Sequence, residues 1–308
     1  LCCRGLLRRL LHALLCLLLQ LRHALLHLLV RVSQLLLGLS LGLLRSLILA
    51  SLFATAACSH VPLNIQATAQ GSALHAEILE GGSYRLQALV PRPGNYERLR
   101  VYIEGDGRAW KTSRVVSDDP TPGQSLVLYM AVNDDVPAIY LARPCQFISS
   151  VGCSKPVWTS ARYSQTVIDV YLAVLDTLKS KYGVSDFELV GHSGGATVAL
   201  LVAAQRRDVG MVQTLAGNVD HAAWTRSRNL LPLQDSLKPT LYALQLRAVP
   251  QRHYVGTDDR VIPATVLDSY LSQVQPVCNQ TVVVDGDHHS GYQAEWSALK
   301  DQPLDCAR

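Results

Sequence analysis

Acidic residues and lysine are absent from the first 57 residues of this 308-residue chain. Arginine occurs there six times, which leaves 22 basic against 24 acidic residues for the rest of the chain. The net positive charge of the protein therefore belongs to this leader, and the remainder is slightly acidic. Nothing in this pattern favours nucleic-acid binding, which needs a basic patch on the folded part.

Other features that the sequence lacks limit the kinds of site and of domain organisation that this protein can have. The four Cys that follow residue 58 have no His at the spacing of a zinc site, so we expect no bound metal. No internal repeat and no linker of domain length interrupts the part beyond the leader. Those roughly 250 residues are enough for one large α/β domain with a substantial core.

The segment from Arg45 to Cys58 has the pattern of an export signal. A positive start is followed by an apolar core and then by small residues. Ala56-Ala57-Cys58 resembles the end of a bacterial lipobox, in which the Cys is lipidated and becomes the mature N-terminus. Ordinary cleavage near Ala57 is the alternative, because Thr55 stands where a lipobox usually has Leu. We expect export to the bacterial cell envelope, with a lipid anchor at Cys58 and the folded part facing the periplasm.

The leader upstream of this signal, residues 1–44, is rich in Leu and low in complexity. Its stretch 10–30 has the length of a membrane helix, although Arg22 and three His interrupt it. It is either an additional membrane span or sequence upstream of a misplaced start, and both interpretations stay open.

Cysteine usage fits export. Four cysteines lie in the exported part beyond Cys58, and four cysteines allow three pairings. Proximity along the chain favours Cys145–Cys153 across a short loop and Cys278–Cys306 at the C-terminal end. In an oxidising compartment both pairs are expected to be structural disulfides.

Apolar runs fit for strands alternate with stretches of helical spacing along residues 81–308. This alternation predicts an α/β fold, with a doubly wound and mostly parallel sheet and a site at the carboxyl ends of its strands. We expect residues 1–57 to be a leader and 58–80 a tether. The stretch 218–249 is longer than a simple crossover needs, so we expect a small cap or lid insertion there.

Residues 191–195, Gly-His-Ser-Gly-Gly, match the pattern Gly-x-Ser-x-Gly between a predicted buried strand and a predicted helix. A strand that turns sharply into a helix strains the central residue and pushes its side chain outward. The first N–H groups of the helix point to the same place. We interpret Ser193 as a nucleophile and the Gly194 N–H as an oxyanion donor. The alternative is a plain turn rich in Gly and Ser.

A serine nucleophile needs a base, and the base needs an acid that orients it. In this architecture both follow the serine, in the order Ser, acid, His, each on a loop after a strand. The acid loop offers Asp258 and Asp259, and the base loop offers His288 and His289. Two adjacent side chains cannot both occupy one position in the site. We therefore expect one Asp to be the orienting acid and one His to be the base.

These three motifs, in this order, resemble the α/β-hydrolase family over about residues 84–300. In that family the acid stands four residues before a proline, here Pro263, which implies Asp259. Some members of that family have an aromatic residue four positions after the catalytic base. Tyr292 stands four positions after His288, so the resemblance implies His288 as the base.

A Gly-rich loop near the start of the domain extends this resemblance. In the family a loop after an early strand, often His-Gly-x, supplies the second oxyanion donor. Residues 103–107, Ile-Glu-Gly-Asp-Gly, occupy that place, with Glu104 where the His would be. The correspondence implies the Asp106 N–H as a donor beside the Gly194 N–H.

The sequence is also similar to a bacterial group of exported lipoproteins with the α/β-hydrolase fold, through residues 102–107 with Trp110, 142–145, and 216–221 with Trp224. The resemblance implies a serine hydrolase that needs no cofactor, with a small-molecule carboxylic ester as the default substrate and an acyl-enzyme intermediate. An amide hydrolase or peptidase with the same triad and a non-catalytic envelope binding protein are the alternatives. Acyl length and oligomeric state stay open.

Overall fold

The computed structural model describes residues 18–43, 45 and 63–306 of the chain. The chain divides into two compact units, Leu1–His60 and Val61–Arg308. The fold and the candidate site described below belong to the second unit.

In the first unit, the described residues form a helix, α1 (Leu18–Leu43). It has the length and apolar composition of a membrane span, which an N-terminal signal sequence also has. Cys58 and all but the first residue of the predicted export signal lie outside the described residues. The lipid anchor and the envelope location therefore stay predictions.

One eight-stranded sheet forms the centre of the second unit. Its strands, in chain order, are β1 (Leu74–Gly81), β2 (Tyr84–Pro91), β3 (Arg98–Ile103), β4 (Ala138–Leu141), β5 (Asp186–His192), β6 (Val209–Leu215), β7 (Gln251–Gly256) and β8 (Asn279–Val284). The spatial order is β1-β2-β4-β3-β5-β6-β7-β8. β2 is antiparallel to β1 and to β4, and all neighbours from β4 to β8 are parallel.

Helices cover both faces of this sheet. They are α2 (Ile65–Ala69), α3 (Leu126–Val132), α4 (Gln165–Tyr182), α5 (Gly194–Ala203), α6 (His221–Ser227), α7 (Ala243–Leu246), α8 (Thr265–Val274) and α9 (Gln293–Leu299). One apolar core contains residues of α4, α5 and α8, and the other contains residues of α2, α3 and α9. β5 contributes Phe187 and Leu189 to the first core and Val190 to the second, because successive side chains of a strand point to opposite faces. The predicted doubly wound α/β fold is confirmed.

The stretch expected to be a tether, residues 58–80, is largely part of the fold. α2 buries Ile65 and Ala69 against the second core, and β1 pairs along its whole length with β2. β1 is an edge strand that buries little more than Leu79 and the closing Gly81. Leu74, Ala76 and Ile78 alternate with His75 and Glu77, which is a strand pattern that the expectation of a tether overlooked.

An insertion between β6 and β7 lies where the sequence predicts a cap. Residues 216–250 contain α6, a 3₁₀ turn at Pro239–Tyr242 and α7. The Asp220 carboxylate caps α6 through the N–H groups of Ala222 and Ala223, and its second oxygen accepts a hydrogen bond from Ser269 of α8. The start of the insertion is therefore fastened to the main body of the domain.

Two disulfides join loops of the domain. Cys145 is bonded to Cys153 in the loop that follows β4, and their Cα atoms are 5.7 Å apart. Cys278, just before β8, is bonded to Cys306 near the C-terminus, with a Cα–Cα distance of 5.1 Å. Both pairings are those expected from proximity along the chain.

The ion pairs of Asp208, at the amino end of β6, predict part of the acid sensitivity of the fold. Burial raises the pKa of this carboxyl, but hydrogen bonds from Arg206 and Lys179 outweigh burial and lower the pKa from 3.8 to about 2. The ionised carboxylate therefore stabilises the folded chain above about pH 4, and this contribution is lost as the pH falls towards about 2.

We expect Asp208→Asn to lower the free energy of unfolding by about 1 kcal/mol at pH 7, because the pair is partly screened by solvent. The variant should also lose less stability than the wild type between pH 4 and pH 2. Urea unfolding at a series of pH values measures both effects. Equal acid sensitivity of the two proteins would contradict this assignment.

Candidate active site

Ser193 lies at the sharp turn between β5 and α5. Its backbone has φ +52° and ψ −120°, an uncommon conformation for a residue with a side chain. The turn is closely packed: a Cβ on Gly191 would lie 2.5 Å from the Ala196 nitrogen, and one on Gly195 would lie 2.3 Å from the Ile103 oxygen. The two outer glycines of the motif are therefore required by space as well as by the turn.

The structure brings Ser193, His288 and Asp259 into one hydrogen-bonded line. Ser193 Oγ lies 3.0 Å from His288 Nε2, and His288 Nδ1 lies 2.8 Å from Asp259 Oδ2. An ionised carboxylate only accepts hydrogen bonds, so Nδ1 carries the proton and Nε2 accepts from the serine hydroxyl. His288 and Asp259 are both buried. This is the geometry that activates a serine.

Asp259 is held in place by its other oxygen. Oδ1 accepts hydrogen bonds of 2.8 Å from the N–H groups of both Val261 and Ile262. Burial raises the pKa of Asp259, but the hydrogen bonds from His288 and from these backbone groups outweigh it and lower the pKa. The carboxylate is therefore ionised at neutral pH. The neighbouring Asp258 lies exposed on the surface of the loop.

The second histidine of the base loop does not take part in this line. His289 is exposed, and its ring stands edge-on to that of His288 with centroids 4.8 Å apart. Its backbone N–H and that of Ser290 both donate to Asp287 Oδ1, which shapes the loop.

His192, directly before the serine, is hydrogen-bonded to the backbone of the base loop. It is buried, and its Nε2 donates to the backbone oxygen of His288 at 2.8 Å. Burial, and then the charge of a protonated His288, lower the pKa of His192 to about 3. His192 is thus a neutral hydrogen-bond donor over the working pH range. The sequence motif does not predict this contact, because His288 lies 96 residues further along the chain than His192.

The Gly-rich loop after β3 lies beside Ser193. Glu104 is buried and accepts hydrogen bonds from the Gly105 N–H at 2.8 Å and from the Tyr140 hydroxyl at 2.7 Å. Within the described part of the chain, the backbone N–H groups of Asp106 and Gly194 have no acceptor. The two predicted donors are therefore available to a ligand atom at the turn.

An open apolar cleft of about 700 Å³ flanks the site. Its lining includes Trp110, Arg162, Trp224, Leu231 and Leu233. Ser193, His288 and Asp259 are not among the residues that line the cleft, but two of its lining side chains contact loops that surround them. Trp224 Nε1 donates to the backbone oxygen of Val261 in the acid loop, and Arg162 is paired with Asp106 in the Gly-rich loop.

The described residues contain no group of three or more His, Cys, Asp and Glu side chains arranged to hold a metal ion.

Gly194, which follows the serine, has no room for a side chain. A Cβ there would lie 2.1 Å from Asp106 Oδ1 and 2.6 Å from the Tyr163 hydroxyl oxygen. We expect Gly194→Ala to lower the free energy of unfolding by about 2 kcal/mol, as overpacking of a tight site does. Gly38→Ala in α1, where nothing lies within 4 Å of the added methyl group, is the control. A Gly194→Ala protein as stable in urea as the wild type would show that the turn relaxes freely.

Comparisons with known proteins find similar architectures among solved structures. No protein-family model and no curated protein sequence matches the chain. Among solved structures, an esterase of Pyrococcus furiosus is similar with a TM-score of 0.56 and 12% identity, over 79% of this chain and 94% of that one. An alpha-beta serine hydrolase homologue from Coxiella burnetii has a TM-score of 0.50 and 15% identity, over 74% and 94%. A cold-adapted esterase from an Arctic intertidal metagenomic library has a TM-score of 0.50 and 17% identity, over 74% and 88%.

At these identities the likeness concerns the fold and leaves the substrate undetermined. The strand order, the helices on both faces and these structural relatives agree with one another. The domain has the α/β-hydrolase fold.

Proposed function

We propose that this protein is a serine hydrolase that cleaves carboxylic esters through an acyl-enzyme. The observation that carries the proposal is the hydrogen-bonded line from Ser193 Oγ through His288 to Asp259 Oδ2, with distances of 3.0 and 2.8 Å. The strained turn at Ser193 supports it, because such strain is retained where it serves a site.

In the first half of the reaction, Ser193 Oγ attacks the ester carbonyl carbon while its proton passes to His288 Nε2. The carbonyl π electrons move to oxygen and give a tetrahedral oxyanion. Asp259, ionised and hydrogen-bonded to Nδ1, stabilises the imidazolium that forms. His288 then gives the proton to the leaving alkoxide as the C–O bond of the ester breaks, which leaves an acyl-serine.

In the second half, water repeats these steps. His288 takes a proton from the water molecule, whose oxygen attacks the acyl-serine. The tetrahedral intermediate collapses, the proton returns to Ser193, and the carboxylic acid leaves. The N–H groups of Gly194 and Asp106 are assigned to the oxyanion in both halves. Each such donor typically contributes about 3 kcal/mol to stabilising the transition state.

Esters are favoured over amides because an alkoxide leaves more readily and places the smaller demand on the site. The apolar cleft near the hydrogen-bonded line of Ser193, His288 and Asp259 suits an apolar acyl or alcohol group. The insertion at 216–250 supplies Trp224 and Leu233 as one wall of that cleft, and we assign it the role of lid. Two of the structural relatives are themselves described as esterases.

Turnover of p-nitrophenyl butyrate by the full chain in a mild detergent tests this function. We expect the wild type to hydrolyse the ester with an initial burst of p-nitrophenol, and Ser193→Ala to fall to the background rate. The matched p-nitroanilide should be a much poorer substrate. A folded wild type without turnover of either compound would favour a binding protein on this fold, and preference for the anilide would favour an amide hydrolase.

The two carboxylates of the acid loop provide a sharper test of the assignment. Asp259→Asn should lower kcat about 10³- to 10⁴-fold, because an amide neither holds the required tautomer nor stabilises the imidazolium. Asp258→Asn, a neighbouring exposed carboxylate, is the matched control and should stay within about threefold of the wild type. Steady-state kinetics on purified variants measures both. A larger loss in Asp258→Asn than in Asp259→Asn would reverse the assignment.

A further inference from the structure

The side chain of Asp106 stands at the centre of a buried cluster of charged and polar groups. Its Oδ1 accepts hydrogen bonds from Arg143 Nη1 at 3.1 Å and from the Tyr163 hydroxyl at 3.2 Å. Its Oδ2 accepts from Arg162 Nη1 at 2.6 Å and from the same hydroxyl at 2.9 Å. Two guanidinium groups and one phenol thus converge on a single carboxylate.

These partners come from the protein interior. Arg143 is 5% exposed, Arg162 6% and Tyr163 fully buried, while the Asp106 side chain is 19% exposed. Burial raises the pKa of Asp106, but the charges of Arg162 and Arg143 outweigh it and lower the pKa. The carboxylate is therefore ionised. Burying three charges is costly, and apolar groups of similar volume often stabilise a fold as well. Stability alone gives no reason for this cluster.

The arginines are themselves anchored. Arg143 donates to the backbone oxygen of Arg162, and Arg162 Nε donates to the backbone oxygen of Thr159 at 2.7 Å. The Tyr163 N–H donates to the Ser236 hydroxyl of the insertion at 3.1 Å. The Asp106 carboxylate therefore joins the loop after β3 to the loop after β4 and to the segment before α4.

The cluster lies directly against the turn that carries the serine. The motif leaves the position after Ser193 open to any residue, yet here Asp106 Oδ1 and the Tyr163 hydroxyl occupy the space of a side chain on Gly194. The carboxylate is thus in contact with the residue whose N–H is the other assigned donor. With two guanidinium groups around it, its negative charge is overcompensated beside the place where an oxyanion forms.

The peptide that carries the Asp106 N–H is held on its other side as well. The Gly105 oxygen, which belongs to the same planar peptide, accepts a hydrogen bond from Gln146 Nε2 at 3.1 Å. Because the peptide is planar and trans, this bond directs the Asp106 N–H the opposite way. That N–H has no acceptor within the described part of the chain. The carboxylate cluster and Gln146 together fix the orientation of this one peptide.

We propose that the Asp106 carboxylate is a positioning group for the oxyanion hole, clamped by Arg143, Arg162 and Tyr163 so that the N–H of the same residue stays aimed at the carbonyl oxygen of the substrate. The inference rests on the proposed hydrolase function. It gives Asp106 two separable tasks, since the N–H binds the oxyanion and the carboxylate holds the N–H.

Asp106→Asn separates the two tasks, because it keeps the N–H and removes the charge that the arginines hold. The matched control is Asp208→Asn, which removes a carboxylate of 15% exposure that also pairs with two basic side chains, Arg206 and Lys179, at the amino end of the strands. Both variants are made in the full chain in detergent. Active serine is titrated with a fluorophosphonate, so that loss of folded protein does not count as loss of rate.

Two readouts are measured per titrated serine: kcat with KM for p-nitrophenyl butyrate, and affinity for a trifluoromethyl ketone. Ser193 adds to this ketone and turns its oxygen into an oxyanion, so its affinity reports the oxyanion hole directly. We expect Asp106→Asn to lower kcat about 10- to 100-fold and to lower the affinity for the ketone by a similar factor. KM should stay within about threefold of the wild-type value. Asp208→Asn should leave kcat and ketone affinity at wild-type values.

Tyr163→Phe covers the case in which Asp106→Asn does not fold. It removes one hydroxyl from the clamp and should lower kcat and ketone affinity together by about threefold to tenfold. Wild-type kcat and ketone affinity in the folded cluster variants would overturn the inference while leaving the hydrolase function intact, and so would an equal loss in Asp208→Asn. A wild-type chain that neither labels nor hydrolyses esters would instead remove the proposed function and this inference with it.

Discussion

The strained turn at Ser193 is the constraint on which the rest of the site depends. A residue with a side chain at φ +52° persists only if its surroundings hold it there. Here β5 and α5 meet so closely that Gly191 and Gly195 have no space for a Cβ. The parallel strands beside β5 then bring the acid loop and the base loop to the same edge of the sheet, because the carboxyl ends of parallel strands lie together.

Around this turn the loops are held by buried polar side chains. His192 holds the base loop through the His288 backbone, and Glu104 and Asp106 hold the Gly-rich loop through side chains from β4 and from the segment before α4. Such groups stabilise a fold poorly compared with apolar residues of the same size. What each of them does hold is the backbone of one loop next to Ser193.

Sequence patterns were sufficient for the fold class and for the loops that meet at the serine, because the elbow motif and the two loops each follow an apolar strand. The choice of Asp259 and His288 within their pairs came from the resemblance to the α/β-hydrolase family. The tether expected at 58–80 was wrong for β1, where the alternation of Leu74, Ala76 and Ile78 with His75 and Glu77 is a strand pattern. Sequence patterns did not show the roles of Arg162 and Tyr163. These residues lie 56 and 57 positions from Asp106, and no local spacing reveals which distant side chains will meet a buried carboxylate.

The most direct measurement of the central claim is intact-mass spectrometry of the full chain after reaction with a fluorophosphonate, with the modified peptide then sequenced. An activated serine displaces fluoride and keeps the phosphonyl group, so we expect one added group per chain, located on Ser193. His288→Ala, which removes the base and keeps the serine, should stay unmodified over the same period. Modification of another residue, or no modification of a folded wild type, would contradict the assignment of this site.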